Sequence, residues 1–214
     1  MPRYTPPVAT PHPWLSVTAA DYEGHMGPEG EGQLGALSDA FGQIYRSVRP
    51  ARLALLGCAT GNGLERVDPA ITVRAVGVDL NIQYVAVARQ RFRALGARLE
   101  LYCGDVLSAR LDAGSFDLVH AALLFEYVHP ELLARAIGGW VAPGGSCSVV
   151  LQLPGGEPPG ASRFETIRKL DGTMRLVPPA EVADLLAAQG LRRAGAWEVP
   201  LRGGKRFHVG VFRR

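Results

Sequence analysis

Apolar and polar positions alternate in two rhythms along most of the chain. Predominantly apolar stretches that read as strands occupy residues 52–56, 71–79, 98–103, 116–122 and 146–151, and the first is the near-continuous apolar run of a strand buried in a parallel sheet. Between them, apolar residues recur at helical spacing: Leu34, Leu37, Phe41 and Ile44, then Val85, Ala88, Phe92 and Leu95, then Leu133, Ile137 and Trp140, then Val182, Leu185 and Leu186. The punctuation agrees with these helices. Asn81 can cap the second, Pro130 and Pro179 open the last two, and Gly96 and Gly190 can end their segments. Two more strands, at 192–199 and 206–212, flank Leu201-Arg202-Gly203-Gly204, a sequence suited to a hairpin turn. Strands alternating with helices predict an α/β fold with a seven-stranded, mostly parallel sheet and an antiparallel C-terminal hairpin. Ligands of such sheets sit beyond the carboxyl ends of the strands.

Upstream of the first strand the rhythm changes. Residues 1–13 hold five prolines and few apolar side chains, which predicts a flexible arm. Residues 14–48 read as two helical stretches, broken by the run Gly27-Pro28-Glu29-Gly30-Glu31-Gly32. Residues 50–214 then form the core of one domain, without internal repeat or linker. Pro154 to Pro159 is too rich in glycine and proline for a regular element.

Composition narrows the field. At 214 residues the chain fits one domain with a substantial core. No apolar run approaches the ~20 residues of a membrane span, and the first residues lack a hydrophobic signal core; the expectation is a cytoplasmic protein without a membrane partner. Net charge is only +3, and the basic residues, of which only Lys169 and Lys205 are lysines, are scattered. This argues against a nucleic-acid surface. Cys58, Cys103 and Cys147 are too widely spaced for a zinc site or a disulfide framework, and each is expected to pack as a small hydrophobe. No metal site is expected.

Candidate chemistry centres on Leu56-Gly57-Cys58-Ala59-Thr60-Gly61-Asn62-Gly63, where the first strand breaks into a glycine-rich loop. The spacing excludes a dinucleotide fingerprint, because Arg66 and Ala59 stand where glycines would be needed, and no Gly-Lys-Ser/Thr tripeptide of a P-loop occurs. A nucleotide-linked oxidoreductase is therefore disfavoured. Asp79 lies 18 residues after Gly61 (79 − 61), close to the ~20 at which an acid at the second strand's end meets a ribose diol.

The glycine loop resembles the first motif of the class I S-adenosylmethionine-dependent methyltransferases. The resemblance continues through Val76-Gly77-Val78-Asp79, Gly104-Asp105-Val106, Phe116-Asp117-Leu118-Val119 with Ala121 to Phe125, and Trp140-Val141-Ala142-Pro143-Gly144-Gly145. It implies the Rossmann-like class I methyltransferase fold with an N-terminal helical lid, and S-adenosyl-L-methionine as cofactor. It further implies methyl transfer by in-line displacement to a small or medium-sized organic acceptor. Cofactor contacts are implied for Gly57, Cys58, Ala59, Gly61, Asn62, Asp79, Leu80, Gly104, Asp105, Val106 and Ala121, with Asp79 on the ribose and Asp105 on the adenine. The stretch Tyr22-Glu23-Gly24-His25-Met26 resembles a lid over the cofactor. Tyr22, His25 and Met26 are then pocket residues, with Gln33 and Gln152 beside them. His25, Glu126 and Tyr127 are the candidates for catalysis, and His129 is a further possible base. Asp117 and His120 read as structural.

Two positions depart from the pattern. Leu55 stands where the family carries an acid near the methionine ammonium, and Ala59 replaces a glycine. The alanine methyl is tolerable there if the backbone keeps φ below zero. Leu55 keeps open the alternative of a non-catalytic module that binds S-adenosylmethionine or S-adenosylhomocysteine.

Overall fold

The computed structural model describes residues 12–155 and 161–214. All but the last two residues of the proline-rich arm lie outside the described residues, as does most of the 154–159 loop. A 3-10 turn at Pro13–Ser16 leads into α1 (Ala19–Met26) and α2 (Gln33–Val48). The core then runs β1 (Arg52–Leu56), β2 (Arg74–Asp79), α3 (Ile82–Arg91), β3 (Leu99–Cys103), β4 (Phe116–Ala122), α4 (Pro130–Trp140) and β5 (Val141–Gln152). It closes with α5 (Glu165–Arg168), α6 (Pro179–Ala187), β6 (Arg192–Pro200) and β7 (Arg206–Arg213).

The seven strands form one sheet in the order β3-β2-β1-β4-β5-β7-β6. The first five pair in parallel, and β7 inserts antiparallel between β5 and β6. Side chains alternate across the sheet and so divide the core in two. Leu53, Leu55, Leu118 and Val150 join α1, α2 and Tyr84 on one face. Ala54, Leu56, Val119 and Cys147 join α4 and α6 on the other. The strand order reverses at β1, so the glycine loop after β1 opens at the switch point where such sheets bind ligands.

The structure differs from the sequence-based expectations in four places. β2 begins at Arg74, not at 71, because Thr72 is drawn out of the ladder: its hydroxyl lies 2.8 Å from the Pro50 carbonyl and 2.7 Å from Tyr45 Oη. β5 begins five residues early, at Val141, and its pairing slips opposite β4 between Phe116 and Leu118. Gly144, at φ +76°, lies within the slipped stretch. α3 stops at Arg91; Phe92 caps it, and Leu95 lies in a 3-10 segment, Arg93–Arg98, that is kinked at Gly96, φ +55°. Cys103 is exposed at the end of β3, while Cys58 and Cys147 are buried as expected.

Candidate functional site

Carboxyl ends of β1, β2, β4 and β5, the helical segment 12–37 and the stretch 167–174 enclose one cavity of about 400 Å³, within the usual range for a small-molecule site. Its floor is the glycine loop. Gly61, at φ +95°, must be glycine on two counts: the backbone is left-handed, and a Cβ would stand 2.4 Å from the Phe92 ring. Ala59 does not meet the condition under which its methyl is free of strain. Its φ is +45°, in the left-handed region that costs a non-glycine residue about 1–2 kcal/mol. Leu123, in the loop after β4, is held likewise at φ +51°. Both line the cavity, where strained backbone commonly marks a functional surface.

Asp79 ends β2 at the cavity's edge. Its Oδ2 accepts from Ala59 N and its Oδ1 from Asn81 N, each at 2.8 Å. The pair fixes the carboxylate and ties Ala59 to its unusual backbone angle. Each oxygen keeps a lone pair for a further donor. Burial pushes the Asp79 carboxyl up to about 6, against the pull of the two backbone N–H groups. Asp105 sits more openly at the end of β3, where its Oδ1 caps the next turn through Leu107 N at 2.9 Å.

Above the floor lies an aromatic roof. The Trp14 ring packs edge-on against Tyr127, Tyr22 and Tyr84 at 5.2, 6.2 and 6.5 Å. Asn81 Nδ2 donates to the Trp14 and Val17 carbonyls, both at 2.9 Å, which fastens the roof to the helix that follows Asp79. α1 is clasped from two sides. Asp21 Oδ2 accepts from the Thr166 backbone and hydroxyl at 2.9 and 2.6 Å, and Glu23 pairs with Arg91 at 2.7 Å. Phe164 lies so close to α1 that a Cβ on Gly24 would meet its ring at 2.4 Å.

At the other end the wall mixes apolar Leu37, Ile167, Leu170 and Met174 with His25, Gln33, Glu126, Gln152 and Lys205. Glu126 is buried. Its Oε1 accepts from Gln152 N at 2.7 Å, and its Oε2 has no hydrogen-bond partner among the described residues. Burial pushes its carboxyl up to about 7. His25 Nδ1 lies 3.1 Å from Ser162 Oγ, and burial lowers the pKa of the ring. Burial raises the Tyr22 and Tyr127 phenols well above their ordinary range. Lys205 is buried against Glu31, with Nζ 2.9 Å from Oε2.

Of the residues singled out from the sequence, Gly57, Cys58, Ala59, Asn62, Asp79, Leu80, Gly104, Asp105 and Val106 line this one cavity, together with Tyr22, His25, Met26, Gln33, Glu126, Tyr127, His129 and Gln152. Gly61 and Ala121 do not: Gly61 turns beneath Phe92, and Ala121 is fully buried on the opposite face of the sheet. Asp117 is structural as expected, accepting from Arg52 N at 2.8 Å. His120 is buried as expected and also reaches the cavity wall. Sequence reasoning missed Trp14, Tyr84, Ile167, Leu170, Met174 and Lys205. The only advance signal for Trp14 was a large aromatic in a proline-rich stretch. Of the other five, Lys205 stood out only as one of two lysines, and the rest did not stand out from their neighbours.

Comparison with known proteins adds an independent line. Residues 55–145 match the family model described as a methyltransferase domain. The indolepyruvate C-methyltransferase of Streptomyces griseus is 27% identical over 125 residues, which are 56% of this chain and 38% of that protein. The chain spans 38% and 26% of the length of the curated relatives it matches. Among solved structures, the geranyl diphosphate C-methyltransferase of Streptomyces coelicolor, determined with S-adenosyl-L-homocysteine, superposes with a TM-score of 0.68 at 13% identity. The superposition covers 97% of this chain and all of that one. The cyclase SpnF superposes at 0.67 with 18% identity, over 84% of this chain and 80% of its own. The fold is thus shared by proteins of different named activity.

Proposed function

We propose that this chain, whose residues 55–145 match a methyltransferase domain model, binds S-adenosyl-L-methionine and methylates a small or medium-sized organic acceptor. The observation that carries the reading is Asp79: a carboxylate pinned by two backbone N–H groups at the edge of a glycine loop, with lone pairs left for a diol. The cavity supports the fit. It extends from Asp79 and Asp105 to the acceptor side, and the Trp14–Tyr22–Tyr84 roof covers it. When bound, the cofactor supplies a methyl group already activated on a sulfonium sulfur.

This chain's residues then have three tasks. Asp79 and the loop from Gly57 to Asn62 hold and orient the adenosyl end. The aromatic roof and the clasp on α1 exclude water, which strengthens every polar contact inside. Glu126 takes the proton of a protonated acceptor, since a buried carboxyl poised near 7 is matched to proton transfer at neutral pH. Tyr127 and His25 orient the acceptor. The wall around Leu37, Ile167, Leu170 and Met174 favours an acceptor with an apolar body and one proton-bearing nucleophile. Scattered basic residues favour no nucleic-acid substrate, and the expected compartment is the cytoplasm.

Leu55 favours one alternative, a module that binds the cofactor or its product without turnover. Incubation with methyl-labelled S-adenosylmethionine and an acceptor library separates the two. Label transferred to at least one apolar acceptor, with transfer in Glu126→Gln reduced at least tenfold, supports the enzyme. Tight binding without transfer across the library favours the module.

A further inference from the structure

Position 55 raises a question of charge. Leu55 is almost fully buried and apolar where the resemblance expects an acid. In the parallel ladder Leu55 pairs with His120 on β4, and His120 pairs with Ser148 on β5. Residues paired in this way point to the same side of the sheet, so the three side chains stand in one row on the face covered by α2. The polar function absent from the first place in the row is present in the second and third.

A buried histidine and serine in a core strand need partners. His120 Nδ1 and Ser148 Oγ lie 2.7 Å apart and satisfy one another. Phe41 packs on the imidazole, ring centres 4.9 Å apart, and holds it in place. Nε2 makes no hydrogen bond among the described residues, and the ring lines the cavity. Burial lowers the imidazole pKa to about 4, so the ring is neutral at pH 7. One tautomer uses every polar atom of the pair. The Ser148 hydroxyl donates to Nδ1, Nε2 carries the ring proton, and that N–H is left for a ligand acceptor.

We propose that the His120 Nε2–H donates to the carboxylate of the cofactor's amino-acid end, anchoring from β4 what the family anchors by charge from β1. Ser148 is the positioning residue, acting through the ring. The inference rests on the adenosyl site proposed above. It gives that site a different polarity at the amino-acid end: a neutral donor toward the carboxylate in place of an anion toward the ammonium.

Two ligands separate this role from a structural one. S-adenosylhomocysteine carries the amino-acid end, and 5′-methylthioadenosine lacks it. By titration calorimetry, His120→Leu is expected to weaken S-adenosylhomocysteine at least tenfold, as loss of a hydrogen bond to a charged group does, and to leave 5′-methylthioadenosine within about twofold. His120→Gln, which keeps an N–H donor, recovers part of the loss. Ser148→Ala, a smaller perturbation of the core, weakens S-adenosylhomocysteine by roughly threefold and spares the other ligand. Equal losses for both ligands, or unchanged S-adenosylhomocysteine affinity in His120→Leu and Ser148→Ala, overturn the proposal. A wild-type protein that binds neither ligand overturns the adenosyl site itself, and the anchor with it.

Discussion

Asp79 and Ala59 act as a pair. The alanine N–H that reaches Asp79 Oδ2 belongs to a residue held at φ +45°, so the carboxylate helps hold the strained loop that surrounds the cavity. Ala59→Gly relieves an αL cost of about 1–2 kcal/mol and loosens the unfolded chain by about 0.4–1 kcal/mol. The net expectation is a gain of roughly 0.5 kcal/mol, read as a higher urea midpoint, where most alanine-to-glycine changes lower it. Asp79→Asn keeps one acceptor oxygen but loses the charge and the acceptor of one of the two backbone N–H groups. It should weaken S-adenosylhomocysteine at least thirtyfold, as removing an ionic acceptor does, and lower the melting temperature as well, because one buried donor is left unpaired.

Glu126 gives a pH signature. Its carboxyl is raised from 4.5 to about 7 by burial, so the folded protein holds this proton more tightly than the unfolded chain. The contribution to stability is full below pH 4.5 and is lost as pH rises through 7. Glu126→Gln removes the dependence. Without ligand, the variant should match the wild type near pH 4.5 and exceed it at pH 8 by about 3 kcal/mol, measured by denaturant unfolding at the two values.

At the scale of elements, the roof is held by a few polar contacts between parts far apart in sequence. Asp21 reaches Thr166 across 145 residues, and Asn81 reaches Trp14 across 67. α5, the partner that clasps α1, has only four residues and depends on that contact for its place. Asp21→Ala should therefore speed amide exchange in 19–26 and 165–168 together while leaving β1 and β4 unchanged. Independent behaviour of the two segments would refute the clasp. These contacts also explain what the sequence did not disclose. Strands and long helices were legible because apolar periodicity is a local signal. α5 and the wall at Leu170 and Met174 show no such period and are placed by tertiary contacts alone. The β2 start was misread because Thr72, β-branched and flanked by apolar residues, looks like strand until Pro50 and Tyr45 claim its hydroxyl. The Ala59 backbone angle was not legible because nothing local marks a residue as left-handed when its restraint is a carboxylate 20 residues away.

Across the whole molecule, one sheet edge carries the site. Glycine loop, Asp79, Asp105 and the β4 loop all stand at the carboxyl ends of parallel strands, so the site follows from topology once the strand order is set. The far end of the cavity draws on segments with no counterpart in that pattern, Lys205 of the C-terminal hairpin among them, paired with Glu31 of the turn between α1 and α2. The central claim is that this edge is an adenosyl site. Titration calorimetry of the wild-type chain with S-adenosylmethionine, S-adenosylhomocysteine and NADH tests it most directly. The account predicts one saturable site for both sulfur ligands and none for NADH. Absence of heat with both sulfur ligands, or binding of NADH in their place, would contradict it.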